Sequence, residues 1–156
     1  MKRPGQYYRA GAGAMIINHA GQVLLFERAD IPGSWQLPQG GLNSEEEPYQ
    51  AVLREVEEET GITASDLELI AQYPEPLAYE LPPHARRKKT GRGQVIYFFL
   101  FRFTGDEEKL DLAQSKELTD WRWATAKQMT ELTADFRKSL YARLAEGFSR
   151  FLGKQK

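Results

Sequence analysis

A sandwich of strands and helices, mixed α/β or α+β, is the fold class that this 156-residue sequence predicts, and three features predict it. Short apolar runs bounded by glycine, proline and asparagine stand on both sides of a central helical segment. That segment, between residues 44 and 61, carries one apolar stripe at helical spacing. A second helical stripe closes the chain. Elements of this kind bury their apolar faces by packing in layers.

Taken in order, Gly11 to Asn18 and Gln22 to Glu27 are apolar runs separated by His19-Ala20-Gly21, and they predict a hairpin. Ser34 to Leu37, closed by Pro38, predicts a further strand, whereas Gln39 to Asn43 has no core-forming pattern and reads as loop. Ser44 with Glu47 three residues on has the form of a capping box, and Pro48 is tolerated only in a first turn. Tyr49, Val52, Leu53 and Val56 then fall at i, i+3, i+4 and i+7, and Gly61 supplies the stop. Leu67 to Tyr73 predicts a strand. Gln94 to Phe103 is the strongest strand signal in the chain, and the stretch between is a proline-bearing loop ending in a basic run, His84 to Arg92. Trp121 to Ala124 predicts a last strand. Phe136, Leu140, Leu144, Phe148 and Phe151 recur at helical spacing and predict an amphipathic helix over about 135–152. With no internal repeat, low-complexity segment or linker, one domain spanning 1–156 is expected.

The 21 Lys and Arg balance 22 Asp and Glu, so no global field draws in a polyanion, and any phosphate must be held by local charge or by metal. There is no cysteine, which excludes disulfides and thiol chemistry. Two histidines leave little for a histidine metal site or a Ser-His-Asp triad. No apolar run reaches the length of a membrane span, and the first residues, MKRPGQYYRAG, lack the apolar segment of a signal peptide. A cytoplasmic protein that makes no use of a membrane is the expectation.

The central helix ends in Glu55, Glu57, Glu58 and Glu59, just before Gly61. A helix C-terminus carries partial negative charge, so carboxylates are misplaced there. Like charges three and four apart cost roughly a further 0.2–0.5 kcal/mol per pair. At 100° per residue, Glu55, Glu58 and Glu59 share one face beside the apolar stripe, while Glu57 points elsewhere. Three carboxylates converging at the edge of a core make a hard-oxygen site that suits Mg²⁺ or Mn²⁺. A solvated acidic helix surface is the alternative.

The run belongs to a longer pattern. Gly40-x5-Glu46-x7-Arg54-Glu55-Val56-x-Glu58-Glu59-x-Gly61-Ile62 matches the Nudix box at all nine of its specified positions, and the chain resembles the Nudix hydrolases on that ground. The resemblance implies an α/β/α sandwich of the α+β class, a mixed sheet flanked by helices, with residues 40–62 as a loop-helix-loop that binds divalent metal. It places metal on Glu55, Glu58 and Glu59, with the Gly40 carbonyl as a further ligand, and makes Glu46 and Arg54 structural, with Gly61 as the stop. The implied reaction is attack of water on a phosphoanhydride, with Glu55, or in second place Glu58, as base. A catalytically silent Nudix-fold nucleotide-binding module is the alternative of another class, and it need not keep these carboxylates.

Outside the box, Ser34-Trp35-Gln36-Leu37-Pro38-Gln39-Gly40-Gly41 resembles the SWQ-x-PQGG entry of one Nudix branch, that of bacterial RNA 5′-pyrophosphohydrolases and related dinucleoside oligophosphate hydrolases. Tyr8-Arg9, Tyr79-x-Leu81-Pro82, Glu117-x3-Trp121-Arg122-Trp123 and Phe136-Arg137 extend the likeness. It implies that Glu117 is a metal ligand from outside the box, that Arg9, Arg28 and Arg137 contact phosphates, and that Ser34, Gln39 and Tyr79 lie near substrate. Phe136 would stack a base, although it also begins the apolar stripe of its own helix. The chain departs from the branch in having Glu27-Arg28 in place of Arg-Arg, and Arg137 where lysine is frequent. The substrate implied first is the 5′-triphosphate end of RNA, losing pyrophosphate to leave a monophosphate. Second is a dinucleoside oligophosphate such as diadenosine tetraphosphate. The basic run could receive RNA downstream of the cleaved phosphates or be a solvated loop.

Overall fold

The computed structural model describes residues 7–87 and 91–153. Among them the strands and α-helices run in the order β1 (Tyr8–Ile17), β2 (Val23–Arg28), β3 (Trp35–Gln36), β4 (Gln39–Gly41), α1 (Pro48–Thr60), β5 (Leu67–Gln72), β6 (Leu77–Glu80), β7 (Gly93–Phe103), β8 (Leu118–Ala124), α2 (Ala126–Glu131) and α3 (Asp135–Gly147). The strands form one mixed sheet with the path β3-β2-β1-β7-β5, on which β8 joins β2, β4 joins β1 and β6 joins β7. β1 lies parallel to β7, from Tyr8 opposite Gly93 to Ile17 opposite Arg102. The other pairings are antiparallel.

Side chains of a strand alternate between faces, and β1 and β2 use both faces for packing. Ala12, Ala14 and Ile16, with Leu24 and Phe26, meet Ala51, Val52 and Val56 of α1. Met15, Ile17, Val23 and Leu25 form the opposite core with Met129 of α2 and Leu140, Tyr141 and Leu144 of α3. These residues are essentially inaccessible to water. Burying each of the larger ones is worth about 1.5–3 kcal/mol, so the sheet is held between two helical layers. The α/β/α sandwich expected from the sequence is the one observed.

Several local expectations are corrected. The hairpin is closed only at Ile17 and Val23, after which β2 leaves to pair along β8. Gln39 to Gly41 is not loop but strand β4, paired with Gly11 to Gly13. Strand β6 interrupts the proline-bearing loop, and helix α2 intervenes before the C-terminal helix. Helix α1 is capped at Glu47 rather than at Ser44. Glu45 has a left-handed φ of 64°, which breaks helical continuity between the two. The Glu47 N–H donates to Gln50 Oε1 at 3.1 Å, and Pro48 takes the first helical position as expected. Gly61, with φ 80°, ends the helix by donating its N–H to the Glu57 carbonyl at 2.9 Å. Tyr49 does not enter the core: it is 40% exposed and packs edge-on against Phe99. Helix α3 stops at Gly147, and Ser149–Phe151 continues as a 3₁₀ turn. Of the basic run, residues 88–90 lie outside the described residues.

Candidate active site

Arg54 organises the acidic end of α1. Its Nε and Nη2 donate to the two carboxylate oxygens of Glu46, at 2.8 and 2.9 Å, and Nη2 also donates to the Gly41 carbonyl at 2.9 Å. This two-pronged contact ties the loop to the helix. It holds the Glu46 carboxyl down at about 2, with the Asn43 N–H as a second cause. The remaining prong of Arg54 reaches Glu55 at 2.8 Å and Glu58 at 3.3 Å.

Glu55 lies against the backbone of Gly40, where a Cβ would collide with the carboxyl group. A side chain at this position would displace the Glu55 carboxyl group from where it lies. Burial raises the Glu55 pKa, an effect opposed by Arg54 and reinforced by the charges of Glu58 and Glu117. One turn on, Glu59 is 8% exposed. It accepts from the main-chain N–H of Gln39, its Oε2 has no partner, and burial followed by the charges of Glu117 and Glu55 pushes its carboxyl up to about 9. Glu117 comes from the loop before β8, which is anchored where the Ala29 N–H donates to the Glu117 carbonyl at 2.8 Å. Thus Gly40, Glu55 and Glu59 from the box and Glu117 from outside it are brought together. Glu58 is more open, 59% exposed, with its carboxylate on Arg54. Among the described residues no three acidic or histidine side chains already close on a single ion. The donor chemistry nevertheless fits a hard divalent cation. A buried carboxylate oxygen without a partner sits among like charges, and every candidate ligand is oxygen.

A cleft of about 760 Å³ opens beside this cluster, with Gln39 and Glu117 in its wall. Arg28, Lys116, Arg137 and, from the basic run, Arg87 supply cations, and Tyr79 and Phe136 supply rings. The rings are stacked, with centroids 5.9 Å apart and planes at 24°. The Arg137 guanidinium lies over the Phe136 ring at 4.6 Å. Arg137 is only 7% exposed, and its Nε and Nη1 have no hydrogen-bond partner. Arg28, expected to meet phosphate, lies in the cleft wall and is engaged by Asp30. Ser34 is buried with its hydroxyl unpartnered and is not in the cleft wall, and Arg9 lies against Gly41, also outside that wall. The sequence reading missed Lys116 and Gln94 as cleft residues. A second depression, between α2 and α3, contains none of the predicted residues.

Residues 7–144 match the NUDIX domain. The chain belongs to the NUDIX family. This Nudix chain is 40% identical to the RNA pyrophosphohydrolase of Acidiphilium cryptum over 152 residues, 92% of each protein. It is 33% identical to the chloroplastic Nudix hydrolase 26 of Arabidopsis thaliana, over 97% of this chain and 74% of that one. Among solved structures, a C. elegans Ap4A hydrolase binary complex superposes with a TM-score of 0.69 at 21% identity, covering 91% of this chain and 98% of that one. The E. coli dihydroneopterin triphosphate pyrophosphohydrolase gives 0.71 at 22% identity, covering 88% and 97%. Both show the Nudix fold. The chain is a Nudix pyrophosphohydrolase, and Nudix hydrolases use divalent metal ions. No helix among the described residues is long and apolar enough to cross a membrane.

Proposed function

We propose that this Nudix enzyme hydrolyses the 5′-triphosphate end of RNA, releasing pyrophosphate and leaving a 5′-monophosphate, with Mg²⁺ or Mn²⁺ as its ion. The observation that carries this reading is the junction at Gln39 and Glu117. Both belong to the wall of the cationic and aromatic cleft, and both act on Glu59. A polyphosphate at the carboxylates therefore has its nucleoside end in the cleft. The name of the Acidiphilium relative, at 40% identity over nearly the whole chain, supports the same substrate. A cytoplasmic location suits it.

Glu55, Glu58, Glu59 and Glu117, with the Gly40 backbone, would hold the ion. When bound, it neutralises phosphate oxygens and lowers the pKa of water. Glu55 accepts the proton of the attacking water, and the bond joining the α-phosphate to the departing pyrophosphate breaks. Arg137 in the cleft, and Arg9 against Gly41 next to the Gly40 backbone, would meet phosphate oxygens, for which the guanidinium fork is suited. Glu46 and Arg54 keep the loop against the helix.

The second reading is cleavage of a dinucleoside oligophosphate, which presents the same polyphosphate with a nucleoside at each end. The net charge of −1 favours it, since the chain as a whole does not attract a polymer of phosphates. Comparing kcat/KM on triphosphorylated RNA and on diadenosine tetraphosphate decides between the two. A large preference for the dinucleotide overturns the first reading.

A further inference from the structure

The stacked Tyr79–Phe136 pair depends on residues beyond the two rings. Tyr79 and Gln94 are directly opposed on the antiparallel strands β6 and β7. Opposed residues present their side chains on one face of the sheet. The Tyr79 hydroxyl donates to Gln94 Oε1 at 2.7 Å. Gln39, from β4, donates Nε2 to the same Gln94 oxygen at 3.0 Å and to the Tyr79 hydroxyl at 2.9 Å. Three strands thus close a triangle of hydrogen bonds around one acceptor atom. Gln39 is also the residue whose main chain meets Glu59. The triangle therefore links the aromatic wall of the cleft to the carboxylate cluster.

We propose that Gln94 is a positioning residue: as the common acceptor for Tyr79 and Gln39, it fixes the Tyr79 ring flat against Phe136 and so sets the surface that receives the nucleoside end of the substrate. This rests on the function proposed above. Tyr79 is 7% exposed, so few rotations are open to it while the hydroxyl is tied down. Without the acceptor, two donors in a partly buried site lose their partner at once, and the ring and the Gln39 side chain must find new positions. The residue does not touch the scissile phosphates, so its loss acts on binding more than on turnover.

The test uses steady-state kinetics of the full chain on triphosphorylated RNA, with folding of each variant checked by thermal melting. Gln94→Leu should raise KM roughly five- to tenfold with kcat little changed, the size expected for a lost hydrogen bond in a partly buried site. Gln94→Glu keeps an acceptor oxygen and, at a salt concentration that screens its added charge, should lose less in KM than Gln94→Leu, a rescue that a merely structural role would not require. In a Tyr79→Phe background, Gln94→Leu should add less to KM than it does in the wild type, because the tyrosine contact is already gone and only the Gln39 contact remains to be lost. An unchanged KM in folded Gln94→Leu, an equal loss in Gln94→Glu, or additive losses in the double variant would each overturn the proposal. Should Gln94→Leu not fold, Tyr79→Phe alone carries the test, and an unchanged KM there also overturns it. If the wild type ignores RNA but cleaves diadenosine tetraphosphate, the substrate reading fails, and the same KM comparisons with the dinucleotide decide the role of Gln94.

Discussion

Arg28 donates from Nε and Nη2 to the two carboxylate oxygens of Asp30, at 2.9 and 2.6 Å, so the fork of this cleft cation is already closed. The Asp30 carboxylate is held below its ordinary range mainly by that contact. A substrate phosphate would have to compete with Asp30 for the guanidinium.

Removing the competitor should therefore help binding. Asp30→Ala is expected to lower KM about two- to fivefold at low salt, because a partly exposed pair of this kind is worth at most about 1 kcal/mol. The gain should shrink toward 1 M salt, where charges are screened within about 3 Å. A KM that rises would mean that Asp30 orients Arg28 for the substrate.

Turnover should fall with the carboxylates. Glu55→Gln is expected to lower kcat by about 10²–10⁴-fold, the usual worth of a general base, with an unchanged circular dichroism spectrum. Glu58→Gln, on the open side of the helix, should also abolish metal-dependent turnover if it ligates the ion. Full activity in both variants would remove the site from α1.

Stability should respond to divalent ions through Glu59. At an ion concentration 100 times the dissociation constant, binding adds about 2.7 kcal/mol, or about 5–10 °C in Tm for a domain of this size. Glu59→Gln removes a buried carboxylate that faces Glu117 and Glu55. It should raise the Tm of the metal-free protein near neutral pH and weaken the response to added ion. Thermal melts with and without chelator measure both effects.

The Glu46–Arg54 contact predicts an acid limb. The Glu46 carboxyl titrates at about 2 in the folded chain, against an ordinary value of 4.5. A carboxyl whose pKa is depressed by folding contributes stability in full above its unfolded value and loses it as pH falls toward the folded one. Glu46→Gln should therefore be less stable than the wild type near neutrality, and the gap should close between about pH 4.5 and 2. A constant gap across that range would show that the contact has no linkage to the proton.

The parts of the molecule that could be read in advance are those written in local periodicity. The apolar stripe of α1 and the runs of β1, β2 and β7 repeat at the spacing of their own structure, and the nine box positions locate the carboxylates on one helix face. Strands β4 and β6, at three and four residues, were hidden because what makes them strands is a partner far along the chain, β1 in one case and β7 in the other. Helix α2 did have a readable start, since Thr125 and Gln128 exchange hydrogen bonds as a capping box. The meeting of Glu117 with Glu59 follows from no local pattern and was reached only through family likeness. The Arg28–Asp30 contact lay two residues apart in plain view, but charge and spacing alone do not say whether a strand-end arginine turns to its neighbour or to the cleft.

The parallel pairing of β1 with β7 has a consequence for the nascent chain. Tyr8 finds its partner only at Gly93, and Ile17 only at Arg102. Until translation has passed that point, the first strand has apolar side chains on two faces and lacks the neighbour beside which it will lie. Contacts this distant close slowly. The ribosome must therefore deliver the chain through Arg102 before the centre of the sheet can assemble, and a chain cut short within β7 should be caught by chaperones or aggregate rather than settle into a smaller fold.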